Sequence, residues 1–350
     1  FSYKLEEIKT VSEDNLRKIR YEKFNQWASS NDLIVTAHHK DDQVETILFR
    51  FIRGTGLNGL KGIPAWRKDG NTQFHRPLLN VPKRELYEYA QNNKLKWVED
   101  ESNKDINVRV AAFNVEFGRS TTPEQVGNMF EPYDLDMIGF NEVPGGDWTA
   151  RVGKVLGMSY SYVGKISSAN HKDKYKSILS RTPLQDTVEH ELSVERRRSW
   201  NPASAVRVMT KIDGLTVALY SLHICRSTDI DKTGHAYRLA KEVLPKEKTN
   251  RVIVLGDFNN NMGDTAMNML EASGYKPTWK DLKFDVSKEF TYNALKPEQP
   301  NAGVIDHIFY NNLPRTKVID GGMIELKKPL SDHKPVWAEI AFPKDLKITK

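Results

Sequence analysis

The sequence predicts an α/β protein whose larger part, residues 108–342, folds as a two-sheet α/β sandwich. From Val108 onward, about ten short apolar runs rich in β-branched and aromatic residues follow one another between turn-forming residues. Few helical patterns separate these runs, whereas a parallel sheet needs a helical crossover between most of its strands. The composition, 39% hydrophobic and 10% aromatic, suffices for a packed core. These observations favour two packed sheets over a parallel Rossmann sheet.

Length, charge and cysteine content limit the classes of function. A chain of 350 residues holds one large or two ordinary domains. Its net charge of +6 and pI of about 9.0 are compatible with a phosphate-rich partner. The single cysteine, Cys225, excludes an intrachain disulfide and a cysteine-based zinc site. No apolar run approaches the roughly 18 residues of a membrane span. The chain opens at Phe1 without Met, as a truncated or processed start would, and no signal peptide is visible, which favours a cytoplasmic location.

The first hundred residues begin with a short buried strand, Leu33–Ala37, that leads into a polar segment and then a helix. The adjacent pairs His38–His39 and Asp41–Asp42 suggest a metal site. However, neighbours on a helix point about 100° apart, which is poor geometry for one ion. We therefore interpret these residues as polar caps, with the two aspartates favourable at the positive end of the helix.

The segment Thr36–Pro64, together with Arg76–Leu79 and Trp97–Asn103, resembles tRNA(Ile)-lysidine synthetase, an N-type ATP pyrophosphatase. The resemblance implies a partial α/β Rossmann-like fragment over residues 1–107. The Ser-Gly-Gly-x-Asp-Ser turn that binds the ATP phosphates through backbone N–H groups in that family does not occur in this sequence. We therefore expect an internal fragment that cannot make lysidine by itself and that exposes an unpaired sheet edge. Lysidine synthetase activity or tRNA binding by this segment is the alternative function from another class.

The second part, residues 108–350, begins with a strand that ends near Asn114. A helix start follows at Thr122–Glu124, and the next strand closes on Glu142. The Asp213–Gly214 pair predicts a two-residue hairpin turn, and the second strand of that hairpin ends at His223. Polar residues thus recur where strands end.

The stretch Arg251–Asn260 organises this second part. Its apolar core reads as a buried strand that stops at Gly256, so Asp257 and Asn259 stand at the carboxyl end. A strand followed by an ordinary Asx turn would give the same pattern. Two further strands favour a functional reading, because Asp306 lies inside one and Asp332–His333 precede the other. Carboxylates on three strands, one paired with a histidine, suit metal-assisted phosphoryl chemistry.

Six separated signals from Val108 to Phe342 resemble, in their order, the endonuclease/exonuclease/phosphatase superfamily; they are Asn114, Glu142, His223, Asp257-Phe258-Asn259, Asp306 and Ser331-Asp332-His333. The strand that ends at His223 is closer to deoxyribonuclease I and sphingomyelinase-like members than to the apurinic endonucleases. The segment Asn170–Tyr175 resembles the part of deoxyribonuclease I that supplies an acid behind the first histidine, which here implies Asp173. The resemblance implies a deoxyribonuclease-I-like sandwich.

The resemblance also implies roles. His333 is the general-base candidate, with Asp306 fixing its tautomer, and His223 is the second imidazole, with Asp173 as its acid. Asp257 and Asn259 are expected to position the attacking water and the phosphate, with Asp257 itself as the alternative base. The metal-ligand candidates are Glu142, Asn114 and Asp332. Their hard oxygen atoms suit Mg²⁺, with Mn²⁺ or Ca²⁺ as alternatives.

A basic run, Arg196–Arg198, followed by Trp200 and Asn201, reads either as a phosphate-contacting loop or as a solvated one. We assign substrate binding to Arg197, Arg198 and Asn201. Together the signals predict a Mg²⁺-dependent phosphodiester hydrolase, with a nuclease acting on nucleic acid favoured. A lipid-headgroup phosphodiesterase or a phosphomonoesterase with the same site is the alternative. Nothing in the sequence indicates an oligomeric state.

Overall fold

The computed structural model describes residues 21–24, 26, 32–52, 61–69, 72–95, 105–193, 202–226, 234–299 and 303–345. The chain divides into two compact units, Phe1–Glu99 and Asp100–Lys350. None of the helices in these described ranges is both long and apolar enough to cross a bilayer.

The first unit contains a three-stranded sheet of order β1-β3-β2, formed by β1 (Leu33–Val35), β2 (Trp66–Asp69) and β3 (Thr72–His75). Its helices are α1 (Lys40–Ile52) and α2 (Lys83–Asn92). Asp42 Oδ2 accepts the His39 N–H at 2.8 Å at the start of α1, as the capping interpretation predicts, whereas Asp41 Oδ2 accepts the Lys83 N–H at 2.7 Å at the start of α2. Val35 on β1 is 59% exposed, so the described part of this sheet leaves apolar surface open.

The second unit is built from two six-stranded sheets. The first has the order β14-β15-β4-β5-β7-β6, and the second has the order β12-β13-β11-β10-β9-β8. The strands are β4 (Asp105–Asn114), β5 (Met137–Val143), β6 (Tyr160–Val163), β7 (Tyr175–Ser180), β8 (Leu184–Glu191), β9 (Ser204–Ile212), β10 (Leu215–His223), β11 (Val252–Asp257), β12 (Tyr275–Pro277), β13 (Asp306–Asn311), β14 (Lys317–Met323) and β15 (Val336–Pro343).

The helices of this unit pack on the outer faces of the sheets. They are α3 (Pro123–Phe130), α4 (Trp148–Leu156), α5 (His235–Arg238) and α6 (Thr265–Ala272); a further helix, α7 (Thr278–Leu282), instead contributes Trp279 to the buried cluster between the sheets. Between the sheets, apolar side chains such as Val110, Met137, Leu219 and Ile253 form one buried cluster. The layers are therefore helices, sheet, sheet and helices, and the predicted two-sheet α/β sandwich is confirmed.

The local signals behave as their chemistry predicts. Asp213 and Gly214 both have positive φ, 48° and 78°, as a type I′ turn between β9 and β10 requires. Thr122 caps α3 through a capping box with Gln125, and Pro123 occupies the first turn. Strand β4 begins at Asp105, earlier than the predicted start at Val108, because residues 105–107 pair with the end of β15.

Candidate active site

The strand order brings most of the predicted polar residues to one edge of the sandwich. In the second sheet, β10 and β11 run parallel and pair His223 with Asp257, and β13 runs antiparallel and pairs Asp306 with Asp257. In the first sheet, β4 ends at Asn114, and Glu142 lies near the end of β5, which runs parallel to β4. All five side chains are buried. The register of the strands, rather than any loop, therefore fixes this group.

One carboxylate oxygen, Asp257 Oδ2, is the focus of the group. It accepts a hydrogen bond from Asn114 Nδ2 at 3.0 Å, and His223 Nε2 and His333 Nε2 lie 3.3 and 3.7 Å from it. Burial opposes ionisation of this carboxyl group, but the two imidazoles and the Asn114 amide outweigh burial and lower the pKa of Asp257 to about 2. Asp257 is therefore a carboxylate at neutral pH.

His333 is oriented by Asp306. Its Nδ1 lies 2.8 Å from Asp306 Oδ2, and both side chains are buried, so Nδ1–H donates to the carboxylate and Nε2 points toward Asp257. Burial disfavours the imidazolium, but the carboxylates of Asp306 and Asp257 outweigh burial and raise the pKa of His333 to about 10. The ring therefore carries a proton on each nitrogen at neutral pH.

A bulge aims Glu142 into the site. The register of β5 against β7 shifts between Phe140 and Val143, and Glu142 within this irregularity has a φ of 53°, which is uncommon for a residue with a side chain. Its Oε1 lies 2.9 Å from Lys174 Nζ and 3.7 Å from His223 Nε2. The bulge places the Glu142 carboxylate where it binds an ammonium group, and the same position suits another cation.

Asn141, beside Glu142, joins the two sheets. Its Oδ1 accepts the backbone N–H of Asp257 at 2.9 Å, and its Nδ2 donates to the carbonyl of Leu222 at 2.7 Å. Asn259 holds the loop beyond β11, because its N–H donates to Asp257 Oδ1 and its Nδ2 donates to Ile224 O, both at 2.9 Å. These amides fix the backbone on either side of the central carboxylate.

Further carboxylates lie at the open side of the site. Asp332 accepts a hydrogen bond from the Ser331 hydroxyl, and its pKa is raised by burial and by the negative charges of Glu116 and Glu142, against the opposing effect of His333. Glu116 was not singled out by the sequence reasoning, although it follows Asn114 by two residues. Its N–H donates to Asn114 Oδ1, and among the described residues its Oε2 is a buried oxygen without a hydrogen-bond partner.

Oxygen donors of this kind fit a hard divalent cation. The buried unpartnered oxygen of Glu116 and the ammonium group on Glu142 both indicate a place for positive charge. In a second grouping, one ligand atom each from Asp257, Asp306 and His333 lies within 4.8 Å of the others. His333 and Asp306 in that grouping are already bonded to each other.

Some predicted residues are not brought into this group. The Asp173 side chain is exposed, its backbone N–H donates to His171 Nδ1, and the carboxylates beside the His223 ring are instead those of Glu142 and Asp257. The predicted substrate-binding residues Arg197, Arg198 and Asn201 lie outside the described residues.

Comparison with known families assigns the two parts of the chain separately. The model of the endonuclease/exonuclease/phosphatase family matches residues 111–333, and that of the PP-loop domain matches residues 4–113. Over 89 residues the chain is 47% identical to tRNA(Ile)-lysidine synthase of Pseudomonas fluorescens, covering 25% of this chain and 20% of that protein. It is 44% identical over 90 residues to the Coxiella burnetii enzyme, also covering 20% of that protein. The chain therefore spans about a fifth of the length of these curated relatives.

Solved structures share the fold of the second unit. An endonuclease/exonuclease/phosphatase from Beutenbergia cavernae superposes with a TM-score of 0.55 at 18% identity, covering 68% of this chain and 72% of that chain. D. rerio TDP2 complexed with a single-strand DNA product gives 0.51 at 15% identity, covering 67% and 99%. The Bacteroides thetaiotaomicron mannosyl-6-phosphatase gives 0.50 at 19% identity, covering 67% and 100%. These structural similarities establish the fold, and the match to the family model establishes the family membership of the second unit.

Proposed function

The chain belongs to the endonuclease/exonuclease/phosphatase family and is a phosphoesterase, and from this we propose that it is a Mg²⁺-dependent phosphodiester hydrolase that acts on nucleic acid. The observation that carries the proposal is the pair of buried imidazoles, His223 and His333, whose Nε2 atoms both face the ionised Asp257 Oδ2. Two imidazoles around one carboxylate offer proton donors and a proton acceptor within one small space. A phosphodiester needs both, since its water must lose a proton and its leaving oxygen must gain one.

The charge states support a division of labour. Asp257, with a pKa of about 2, is ionised and can accept the proton of an attacking water. His333, with a pKa raised to about 10, is an imidazolium whose Nε2–H can donate to a phosphoryl oxygen. The sequence assigned the base role to His333 and kept the Asp257 carboxylate as the alternative. A doubly protonated His333 has no lone pair to accept a proton, whereas the Asp257 carboxylate has one but is a weak base because its pKa is lowered, so the charge states do not decide between the two. His223 is the proposed donor to the leaving oxygen.

Glu142, Glu116 and Asp332 would hold the metal ion, and Asn114 orients this group through its bonds to Asp257 and to the Glu116 backbone. A bound Mg²⁺ supplies neutralisation of the phosphate charge. Mn²⁺ or Ca²⁺ are the alternatives. The Lys174 ammonium, 2.9 Å from Glu142 Oε1, balances this carboxylate when no metal is bound.

Nucleic acid is the favoured substrate because the chain is basic, with a net charge of +6, and because one structural neighbour was solved with a DNA product. Two alternatives each have an observation in their favour. The mannosyl-6-phosphatase among the neighbours supports phosphomonoester hydrolysis by the same site. The PP-loop match over residues 4–113 supports a tRNA-related role for the first unit.

The test is hydrolysis of plasmid DNA, single-stranded RNA, sphingomyelin, a phosphoinositide and mannose 6-phosphate, with Mg²⁺ or with EDTA. We expect nucleic-acid cleavage that EDTA abolishes and that falls about 10²–10⁴-fold in Asp257→Asn and in His333→Gln. The matched control is His190→Gln, because His190 lies on β8 and stacks on Tyr220, whose side chain belongs to the cluster on the outer face of the second sheet. Cleavage confined to a lipid or a monoester would replace the substrate. Full activity of Asp257→Asn would refute the assigned chemistry.

A further inference from the structure

A cavity of about 290 Å³ lies beside His333. Its walls are mainly apolar and come from two segments, the loop before β13 and the loop between β14 and β15. The apolar lining includes Phe290, Ala294, Leu295, Ile324, Leu326 and Pro329. This volume lies just below the range of about 300–1,000 Å³ typical of small-molecule sites, so the cavity suits one ring-sized group.

The walls are tied to the residues that flank the catalytic imidazole. The Ala294 N–H donates to Asp332 O at 2.8 Å, and the Lys334 N–H donates to Thr291 O at 2.7 Å. Tyr292 forms a β-bridge with His333, and the two rings pack edge to face at 5.2 Å. Because His333 itself lines the cavity, a group bound there lies next to the phosphate on which His333 acts.

The polar part of the lining carries two lysines and one carboxylate, that of Glu325. Lys327 and Lys334 belong to the wall, and Lys334 Nζ lies 4.0 Å from the centre of the Phe290 ring and 2.8 Å from Glu325 Oε1. Lys334 is paired with Glu325 and lies over the Phe290 ring, so the excess positive charge of the wall is that of Lys327, which can attract a phosphate that continues from the bound group. The cavity therefore matches a ligand that is apolar and flat in one part and anionic in the next.

We propose that this cavity binds the nucleobase of a nucleotide adjacent to the scissile phosphate. The proposal rests on the proposed function and names its substrate class more closely. A bilayer-binding surface needs several exposed apolar side chains side by side. In the described part of the second unit, the large hydrophobics exposed at the surface are Tyr160, Leu295 and Ile319, and only Leu295 belongs to this cavity. A single nucleobase thus fits the site better than a lipid surface does.

The test compares two substrates with the same leaving group, thymidine 5′-(p-nitrophenyl phosphate) and methyl p-nitrophenyl phosphate. We expect wild-type kcat/KM to favour the nucleoside substrate about tenfold or more, and Leu295→Asn to reduce that ratio about tenfold by removing an apolar wall. Leu295→Trp, which puts a larger side chain in the same wall and so takes up part of the cavity, should reduce it further. The control is Ile319→Asn, because Ile319 is 42% exposed and Leu295 is 41% exposed. Ile319 lies beside Asp105 and Asn107 at the start of β4, about 20 Å from Asn114 at 3.3 Å per residue.

A binding measurement separates this inference from the proposed function. Calorimetric titration with thymidine 5′-monophosphate and with methyl phosphate should show the same preference in the wild type and its loss in Leu295→Asn. Nucleotide binding with that loss, but no hydrolysis of either substrate, would support the cavity and overturn the proposed function. Hydrolysis of both substrates at equal efficiency, or an equal loss on both in Leu295→Asn, would overturn the cavity proposal and leave the proposed function standing.

Discussion

Replacement of Asn141 by leucine tests whether one buried amide holds the two sheets in register at the site. The side chain is fully buried and joins β5 to the second sheet through the Asp257 N–H and the Leu222 carbonyl, at 2.9 and 2.7 Å. Leucine has a similar volume but forms neither bond, so one buried donor and one buried acceptor lose this partner. Each such loss costs about 1–3 kcal/mol, so we expect the free energy of unfolding to fall by about 2–6 kcal/mol.

The assay is urea unfolding of the full chain, followed by circular dichroism, together with the hydrolysis rate. The control is Asn107→Leu, because the exposed Asn107 makes one side-chain hydrogen bond, to Glu339 Oε1 at 2.9 Å. That control should change the free energy of unfolding by no more than about 0.5 kcal/mol. We also expect Asn141→Leu to slow hydrolysis at least tenfold, because it releases the backbone of Asp257. If both variants lose the same stability and keep the wild-type rate, the reasoning about this amide is wrong.

Three further predictions follow from other polar contacts. Glu247→Gln removes one of the two carboxylates that pair with Arg207, which is only 7% exposed, and should cost about 1–3 kcal/mol in urea unfolding because Asp186 still pairs with it. Glu124→Gln, in an exposed ion pair, should leave the urea midpoint unchanged. Burial lowers the pKa of Lys176 from its ordinary value of 10.5 to about 8, so the unfolded chain binds more protons between these values. The stability contributed at this position should therefore rise as pH increases from 8 to 10.5. The measurement is the difference in unfolding free energy between wild type and Lys176→Met across that pH range. A difference that stays constant with pH would contradict the prediction. Lys174→Met removes the ammonium group that competes with a metal ion for Glu142. Mg²⁺ binding measured by calorimetry should therefore be about fivefold tighter in the variant. Weaker binding would mean that the lysine supports the metal site instead.

The parts of the site that could be predicted from sequence are those set by strand ends. The strand before Asp257 stops at a glycine, and the strand before His223 begins at a hairpin with a defined turn. Because paired strands share a register, side chains at corresponding ends must lie together once the sheet forms. Asp306 follows the same rule, because the sequence places it in a strand and the structure pairs that position directly with Asp257.

The parts that sequence reasoning missed depend on irregular backbone. Glu116, which the sequence reasoning did not single out, has a φ of 45°, and neither glycine nor asparagine stands at that position. The ammonium group beside Glu142 comes from Lys174, whereas the sequence pattern drew attention to Asp173 one residue earlier. Asp173 lies in a bend and Lys174 in irregular backbone before β7, where no regular period shows from sequence which of the two side chains turns toward the site.

Gly256 illustrates how the main strand motif and the site depend on one another. Its φ is 133°, and a Cβ atom at this position would lie 2.1 Å from the carbonyl oxygen of Leu222 on β10. The two parallel strands approach closely at this point, one residue before Asp257 meets His223 in register. Any side chain would have to push β10 and β11 apart where Asn141 also binds both of them. The glycine is therefore needed less for the turn that follows than for the close approach, which sets the distance between the central carboxylate and its imidazole.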